Sequence, residues 1–222
     1  MISYIVKREI VDYINKKQGY CYGELGEKQK DFLKKELPII DMETARFLEV
    51  LLSMHKPKRI LEIGLAVGFS SSLMAKILPS SYITSIERWD YMVEQAKLTH
   101  GELDVNVNII EGDGLEVLKN IKEKYDFIFL DCAKGQYIRM LPYLLRILNI
   151  GGILFADDIF QNGNIVKNIE DIPKRQRTIH NRMNEFIDKI CNTSGLRTSI
   201  IPIADGVSVS YKEKEIEMEN YE

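Results

Sequence analysis

The sequence predicts an α/β fold, in which N-terminal helices precede a mostly parallel sheet of seven strands that ends in an antiparallel hairpin. A short apolar strand, a glycine-containing turn and a helical pattern follow one another over residues 59–72. Strand and helix patterns then alternate to about residue 157, which is typical of right-handed crossovers and a parallel sheet. Two β-rich runs, 197–203 and 206–211, meet at Asp205-Gly206 and predict the closing hairpin.

Three helices are expected before the first strand. Residues 2–17 place their apolar side chains, Ile10 and Tyr13 among them, on one stripe, which predicts an amphipathic helix that caps the molecule. A lysine-rich helix over 24–37 stops at Pro38. The third helix begins at a cap on Asp41 or Thr44 and runs to about His55.

The remaining elements follow the alternating pattern. After the glycine turn, strands are expected at 82–87, 107–111, 126–131 and 152–157, with helices at 90–103, 114–122 and 136–148. Residues 213–222 hold too little apolar area to pack and are expected to form a flexible acidic tail. The whole chain, 1–222, is expected to be one domain with a helical cap (1–56), a core (57–212) and this tail.

Composition is that of an ordinary globular domain. Of 222 residues, 45% are hydrophobic and 28% charged, and the net charge is -3. This charge argues against a surface that coats nucleic acid, but it allows a local basic patch. The three cysteines form no C-x-x-C pair, and a reducing cytoplasm suits them. Since no apolar run approaches about 18 residues and no signal pattern is seen, we expect a soluble cytoplasmic protein without membrane association.

The turn after the first strand gives the first functional signal. Gly64 and Gly68 let the backbone pass close to a ligand, and the N–H groups that open the next helix point into the same crevice. Dinucleotide sites normally show G-x-G-x-x-G, whereas Glu62 here would repel a pyrophosphate. S-Adenosylmethionine carries two cationic groups and no phosphate, so residues 57–212 are expected to bind it. The alternatives are an ordinary strand-turn-helix junction with a solvated glutamate and, more distantly, a nicotinamide oxidoreductase.

Acidic residues follow the next two strands. Ligands of open parallel sheets lie beyond the carboxyl ends of the strands. Glu87 ends the second strand, where an acid typically binds ribose hydroxyls, and Asp113 with Gly114 follows the third, where a carboxylate would meet an adenine amino group. The alternatives are an acid at a helix start for Glu87 and a common Asp-Gly turn for Asp113.

Three further acids follow the fourth and fifth strands. Asp131 ends FIFLD, and Asp157 and Asp158 end FADD. Their mutual repulsion is costly unless a cation neutralises it, and hard oxygen ligands suit Mg²⁺ or a similar ion. The alternative is helix capping by Asp131 and Asp158 with a solvated Asp157. Lys134 lies close to Asp131 in the sequence and is the candidate catalytic residue, either as a general base or as a stabiliser of negative charge; the alternative is a surface lysine of the loop.

These motifs together resemble those of the cation-dependent O-methyltransferases, the family of catechol and caffeoyl-CoA O-methyltransferases and their bacterial relatives. The resemblance rests on ILEIGLAVGFSS, SIER, GDG, DFIFLDCAKGQY, ADDIFQNG and PIADGVSVS, and covers about residues 38–211. It implies a class I methyltransferase (Rossmann-like) fold, S-adenosyl-L-methionine and Mg²⁺ (or a similar divalent cation) as cofactors, and a homodimer. The metal ligands it implies are Asp131, Asp157 and Asp158, the last at a position where many members have Asn. The cofactor contacts it implies are Ile40 (through its backbone), Glu62, Gly64, Ser70, Glu87, Asp113, Gly114 and Asp131.

The C-terminal third is similar to the bacterial tRNA 5-hydroxyuridine methyltransferases, which convert 5-hydroxyuridine at the wobble position to 5-methoxyuridine. IPKRQRTIHNRM and the closing hairpin carry this likeness. It implies the anticodon region of tRNA as the substrate. A basic cluster of Lys174, Arg175, Arg177 and Arg182 suits phosphates, although a solvated helix face explains it equally well. Two other functions remain open: a small-molecule catechol or hydroxycinnamoyl-CoA O-methyltransferase, and a non-catalytic RNA-binding module.

Overall fold

A seven-stranded sheet organises the chain. The computed structural model describes residues 6–21 and 23–217. Its helices are α1 (Arg8–Gln18), α2 (Gly23–Lys34), α3 (Met42–His55), α4 (Phe69–Ile77), α5 (Asp90–Glu102), α6 (Gly114–Asn120), α7 (Tyr137–Ile147) and α8 (Arg177–Asn192). Its strands are β1 (Arg59–Ile63), β2 (Tyr82–Glu87), β3 (Asn108–Glu111), β4 (Tyr125–Leu130), β5 (Leu148–Ala156), β6 (Leu196–Ile201) and β7 (Val207–Lys212).

The strand order is β3-β2-β1-β4-β5-β7-β6. The first five strands in this order are parallel, whereas β7 runs antiparallel to both β5 and β6. This confirms the predicted α/β fold with a closing hairpin. The two hairpin strands differ in position, since β7 pairs with β5 and β6 forms the edge of the sheet.

The register aligns the carboxyl ends of the central strands. Ile63 pairs with Leu130, and Leu130 pairs with Ala156. Backbone bonding continues one residue further, because Asp131 N donates to Ile63 O at 3.0 Å and Asp157 N donates to Leu130 O at 3.0 Å. The acids that follow β4 and β5 are therefore neighbours at the same edge of the sheet.

Both faces of the central strands β1 and β4 are buried, as in a parallel sheet covered by helices. On β4, Phe127 and Phe129 face one side, where they pack against Phe155 with ring centroids 6.2 and 5.4 Å away. Ile128 and Leu130 face the opposite side, among residues of α6, α7 and α8. This continuous apolar run fixes the strand firmly beneath the residues at its tip.

The N-terminal stripe differs from its prediction. Helix α1 contacts α3 but buries none of its own residues, and Ile10 and Tyr13 are 48% and 62% exposed. The stripe is therefore only partly covered, since Ile10 and Tyr13 are exposed while Val6 and Ile14 are half-buried. Its first residues, 2–5, lie outside the described part of the structure.

The end of the described chain is partly packed. Ile216 is buried against the core, and the buried Lys212 donates through Nζ to Leu145 O at 3.1 Å and to Leu148 O at 2.9 Å. Residues 213–217 thus depart from the expected unpacked tail at Ile216, because the turn after β7 returns this side chain to the sheet. Among residues 6–21 and 23–217, no helix is both long and apolar enough to cross a membrane.

Candidate active site

The glycine turn after β1 is shaped by a close approach of two strand tips. Gly64 has φ of 102°, and a Cβ placed on it would lie 1.8 Å from the carbonyl oxygen of Asp131. No side chain fits there. Gly68 opens α4 with φ of 79°, a conformation that glycine adopts without strain. The glycines thus allow the β1 turn to lie directly against the residue that ends β4.

A cavity of about 340 Å³ opens at this edge of the sheet. Of the residues predicted to bind the cofactor, Gly64, Glu87, Asp113, Gly114 and Asp131 line it. The structure thereby brings together residues that follow β1, β2, β3 and β4, as the strand-end rule predicts. The other three predicted cofactor residues, Ile40, Glu62 and Ser70, are buried and do not line the cavity.

Glu62 lies behind the cavity wall. Its side chain is fully buried, and its carboxylate accepts hydrogen bonds from the hydroxyls of Ser70 and Ser85, the second at 2.6 Å. Burial, which outweighs these two hydrogen bonds, raises the pKa of Glu62 to about 8, and the negative charges of Asp131 and Glu87 add to the effect. Glu62 is therefore a buried support for β1, β2 and α4 in this structure.

Glu87 and Asp113 face the cavity with their carboxylates already bonded to the backbone. Glu87 accepts from Arg88 N at 2.8 Å, Trp89 N at 3.0 Å and Ala66 N at 3.1 Å. Asp113 caps α6 by accepting from two backbone N–H groups of its first turn, at 3.0 and 3.3 Å. Asp113 thus serves as a helix cap, the kind of local turn role foreseen as its alternative, while it also lines the cavity.

Lys134 lies among the three acids of the predicted metal site. Its Nζ donates to Asp131 Oδ1 at 2.7 Å and lies 3.4 Å from Asp158 Oδ2. It also donates to Tyr137 OH at 3.1 Å and to the carbonyl of Asp157 at 3.4 Å. Burial opposes the charged amine, but Asp131, Tyr137, Asp158 and Asp157 outweigh it and raise the pKa of Lys134 well above its usual value. Lys134 is therefore an ammonium ion in this setting and not a solvated surface lysine.

Asp157 is the most deeply buried of the three predicted metal ligands, with 2% of its surface exposed. Its carboxylate accepts from Asp158 N at 2.9 Å. Burial, reinforced by the charges of Asp131 and Asp158, raises the pKa of Asp157 well above its usual value. This excludes the alternative in which Asp157 is solvated.

The described residues do not complete a metal site by themselves. No group of three histidine, cysteine or acidic side chains with metal-binding geometry occurs within 6–21 and 23–217. The chemistry of the predicted donors does fit a hard cation, because the described part of the chain sets only the Lys134 ammonium against three neighbouring carboxylates. The cation itself therefore remains a prediction.

Two more acids, Asp41 and Asp205, lie near Asp158. Burial, followed by repulsion from Asp158, Glu43 and Asp205 among its neighbours, raises the pKa of Asp41 to about 6. Asp205 is 8% exposed and also feels the charges of both Asp158 and Lys134. The sequence indicated Asp41 as a helix cap and Asp205 as part of the hairpin turn, but neither as a residue of this site, because only the folded chain brings the start of α3 and the β6–β7 turn to this place.

The cavity is also lined by residues that were not among the predicted cofactor contacts or metal ligands. They are Pro38, Ile39, Ile63, Ala66, Ile86, Arg88, Trp89, Gly112, Cys132, Ala133, Gln136 and Met140. Trp89 is the most conspicuous, since it is 59% exposed at the cavity and is the only tryptophan of the chain. Its position two residues after Glu87 was the available signal, because residues just past a strand tip face the ligand. Burial raises the pKa of Cys132 to about 12, so its thiol is a neutral part of the wall.

The basic cluster is divided by the fold. Arg177 donates to the carbonyl of Ile172 at 3.0 Å, and Arg182 donates to the carbonyl of Gly135 at 3.1 Å. These two arginines hold loops in place. Lys174 and Arg175 are exposed in a short 3-10 turn immediately before α8.

Comparison with known proteins places these features in a wider context. A sequence model described as O-methyltransferase matches residues 18–213. An Arabidopsis thaliana protein named as a caffeoyl-CoA O-methyltransferase is 27% identical over 213 residues, which cover 93% of this chain and 88% of that protein. The caffeoyl-CoA O-methyltransferase of Populus kitakamiensis is 27% identical over 179 residues, covering 77% of this chain and 76% of its own.

Solved structures agree with these sequence relatives. A Staphylococcus aureus protein named as a caffeoyl-CoA O-methyltransferase superposes with a TM-score of 0.81 at 26% identity, covering 92% of this chain and 98% of that one. An SAH-bound methyltransferase of Podospora anserina reaches the same TM-score at 19% identity, over 94% and 97% of the two chains. The latter likeness concerns the fold alone.

Proposed function

This chain belongs to the O-methyltransferase family and is an S-adenosylmethionine-dependent enzyme, and from that premise we propose that it methylates 5-hydroxyuridine at the wobble position of tRNA. The observation that carries the chemistry is the ammonium of Lys134, which lies between Asp131 and Asp158 beside a cavity lined by the strand-tip residues. An acidic hydroxyl next to a ring carbonyl is the kind of acceptor that such a charged site stabilises as an anion.

The proposed reaction is a direct transfer. The acceptor hydroxyl loses its proton, its oxygen forms a bond to the methyl carbon, and the bond between that carbon and the cofactor sulfur breaks. The products are a methyl ether, S-adenosylhomocysteine and a proton. The cavity walls position the cofactor, and such positioning supplies a large part of the rate enhancement in transfers of this kind.

Lys134 has the role of a charge stabiliser in this proposal. Because its acidic neighbours raise the pKa of Lys134, the amine holds its proton at neutral pH. An ammonium donates a hydrogen bond to a developing oxyanion, whereas a general base would first have to lose that proton. The structural environment therefore favours stabilisation over base catalysis.

We propose that a divalent cation adds to this charge. Asp131, Asp157 and Asp158 would hold it, and when bound it supplies Lewis-acid stabilisation of oxygen. The support is the excess of negative charge: Asp41 and Asp205 lie close enough to Asp158 to feel its charge, and within the described part of the chain Lys134 is the ammonium that offsets the three acids.

Support for a tRNA acceptor comes from the start of α8. Arg182 bonds to Gly135, which follows Lys134 in the same turn. Lys174 and Arg175 lie exposed just before this helix, where they suit contacts with phosphates. Arg177 and Arg182 are not counted among these phosphate contacts, because their guanidinium groups are bonded to the carbonyls of Ile172 and Gly135.

A small-molecule acceptor is the second candidate. The relatives from Arabidopsis thaliana and Populus kitakamiensis carry the name caffeoyl-CoA O-methyltransferase, and a catechol also presents two adjacent oxygens. The third candidate, a non-catalytic RNA-binding module, predicts that tRNA binds without becoming modified.

One set of incubations separates the three candidates. Purified protein, S-adenosylmethionine and Mg²⁺ are incubated with tRNA from cells that lack this protein, and in parallel with catechol and with caffeoyl-CoA. Mass spectrometry of the digested nucleosides should detect 5-methoxyuridine, and Lys134→Met protein serves as the control. Methylation of the small acceptors alone would replace the tRNA proposal with the second candidate. Binding of tRNA by the protein without methylation of any acceptor would favour the third candidate, the non-catalytic RNA-binding module.

A further inference from the structure

The loop after β5 has an unusual backbone. Asp158, Gln161 and Asn162 have φ of 55°, 54° and 55°, and Gly163 follows with 76°. Residues other than glycine rarely adopt this left-handed backbone conformation, because their Cβ then lies too close to the following carbonyl oxygen. Several such residues within one short loop persist only if the surrounding structure holds them.

The turn between β6 and β7 provides that support. Both carboxylate oxygens of Asp205 lie 2.8 Å from Asn162 N, which donates to them. The backbone carbonyl of Asp205 accepts from Phe160 N at 2.9 Å, and the carbonyl of Gly206 accepts from Ile159 N at 3.0 Å. The side chain and backbone of this turn therefore engage three N–H groups of the loop over residues 158–163, which we call the Asp158 loop.

Close packing matches the turn to the loop. Gly206 has φ of 85°, and a Cβ placed on it would lie 2.0 Å from Cδ2 of the Phe160 ring. The ring thus rests against the glycine backbone. Asp205 itself is 8% exposed, so its carboxylate bonds are largely shielded from competing water.

We infer that Asp205 is a positioning residue for methyl transfer: by holding the Asp158 loop it fixes the carboxylate of Asp158 beside the ammonium of Lys134. The inference rests on the proposed function, because it assigns Asp158 and Lys134 to the reacting site. Asp205 contacts the loop through Asn162, whereas Asp158 Oδ2 lies 3.4 Å from Lys134 Nζ. Asp205 therefore acts through the loop and not on the acceptor.

The test compares Asp205→Ala and Asp205→Asn with a control in the same hairpin. Thr198→Val removes a hydroxyl that donates to Ile190 O at 2.6 Å and bonds to Ser210 Oγ at 2.9 Å, without touching the Asp158 loop. For each protein we would measure kcat and KM, the affinity for S-adenosylhomocysteine by calorimetry, and deuterium uptake of a peptide covering residues 158–163.

We expect Asp205→Ala to lower kcat about tenfold to a hundredfold, as misplacement of a catalytic constellation does. Affinity for S-adenosylhomocysteine should stay close to that of the unaltered protein, because Asp205 does not line the cavity. Exchange in residues 158–163 should become faster. Asp205→Asn keeps one acceptor oxygen, so its kcat and its exchange rate should lie between those of the unaltered protein and Asp205→Ala. Thr198→Val should keep the kcat of the unaltered protein and its slow exchange in this peptide.

The inference is overturned if Asp205→Ala turns over at the normal rate, or if Thr198→Val loses as much activity. If no protein in the set methylates any acceptor, the proposed function fails while the positioning role is still decided by exchange. Unchanged exchange at 158–163 in Asp205→Ala would then refute the positioning role on its own.

Discussion

The amine of Lys134 lies 2.7 Å from the carboxylate of Asp131, across the short turn that follows β4. The pair is formed by a strand tip and the 3-10 turn Lys134–Gln136, so its geometry is set by the buried strand below it. The same amine reaches Asp158, which follows β5. The ammonium group of Lys134 therefore connects the two neighbouring strand ends at the edge of the cavity.

Replacing Lys134 tests the role of this cation. Lys134→Met should lower kcat about a hundredfold or more, because a hydrogen-bond donor aimed at developing negative charge is lost. Affinity for S-adenosylhomocysteine, measured by calorimetry, should change little, since Lys134 does not line the cavity. Lys134→Arg, which keeps a positive charge in altered geometry, should retain more activity than Lys134→Met. Equal turnover of the unaltered protein and Lys134→Met would contradict the assignment.

Glu62 predicts a pH dependence of stability. The pKa of Glu62 is about 8 in the folded chain, against 4.5 for a free glutamate, so the folded state holds a proton that the unfolded state releases. The protonated Glu62 contributes fully to stability below about pH 4.5, and this contribution is lost as the pH rises toward 8. Over that range the free energy of unfolding should fall by up to about 4 kcal/mol.

Glu62→Gln should remove this slope, because it replaces a titrating group with a neutral one. Urea midpoints without added cofactor, measured at pH 5 and pH 8, should therefore differ less for Glu62→Gln than for the unaltered protein. Ser85→Ala, which removes one hydroxyl bonded to Glu62, is the matched control and should keep a slope. An identical loss of stability with pH in Glu62→Gln and the unaltered protein would show that Glu62 is ionised when folded.

Much of the fold follows from local patterns. The apolar run through Phe127 and Leu130 predicted a buried strand, and the structure has one. The glycines of the β1 turn predicted a close approach of the backbone, which is also present. The packing of α1 could not be inferred, because a stripe such as Ile10 and Tyr13 does not reveal whether a partner surface exists. Helix α8 was not predicted, although the spacing of its buried residues Met183, Phe186 and Ile190 is amphipathic and present in the sequence.

The candidate site was predictable where it depends on strand order. Glu87, Asp113 and Asp131 share one edge because parallel strands end there. The position of Glu62 was not predictable, since side-chain direction at a strand end depends on one residue of register. Asp205 was also missed as a site residue, because it enters through the hairpin at the far end of the chain.

Trp89 offers a direct probe of cofactor binding. As the only tryptophan, at the cavity and next to Arg88, whose guanidinium lies 5.6 Å from the ring centroid, it should change its fluorescence when S-adenosylhomocysteine binds. Trp89→Ala should weaken binding about tenfold through lost aromatic contact, and Trp89→Phe should weaken it less. Calorimetric binding with unchanged fluorescence would place the ligand away from Trp89.

Lys212 predicts a stability effect far from the site. Its buried amine donates to the carbonyl of Leu145 in α7 and to that of Leu148 at the start of β5, and it lies 3.0 Å from Glu215. Lys212→Met leaves those carbonyls without this donor and should lower the unfolding free energy by about 1 to 3 kcal/mol. The exposed Lys214→Met is the control and should change it by less than about 0.5 kcal/mol. Equal urea midpoints for the two variants would show that the Lys212 bonds contribute nothing.

Metal removal tests the charge imbalance around Asp157. Buried carboxylates that raise one another's pKa favour a bound cation, so Mg²⁺ should bind measurably in calorimetry, and chelator-treated protein should lose most of its turnover and regain it with Mg²⁺. Asp157→Asn should weaken the binding of Mg²⁺ about tenfold or more, because it removes one anionic ligand. Asp188→Asn, an equivalent change at an exposed acid of α8, should bind Mg²⁺ as the unaltered protein does. Chelation is not expected to change the affinity for the cofactor. If chelator-treated protein keeps its full turnover and calorimetry shows no heat of Mg²⁺ binding, no cation is required and Lys134 alone balances these acids.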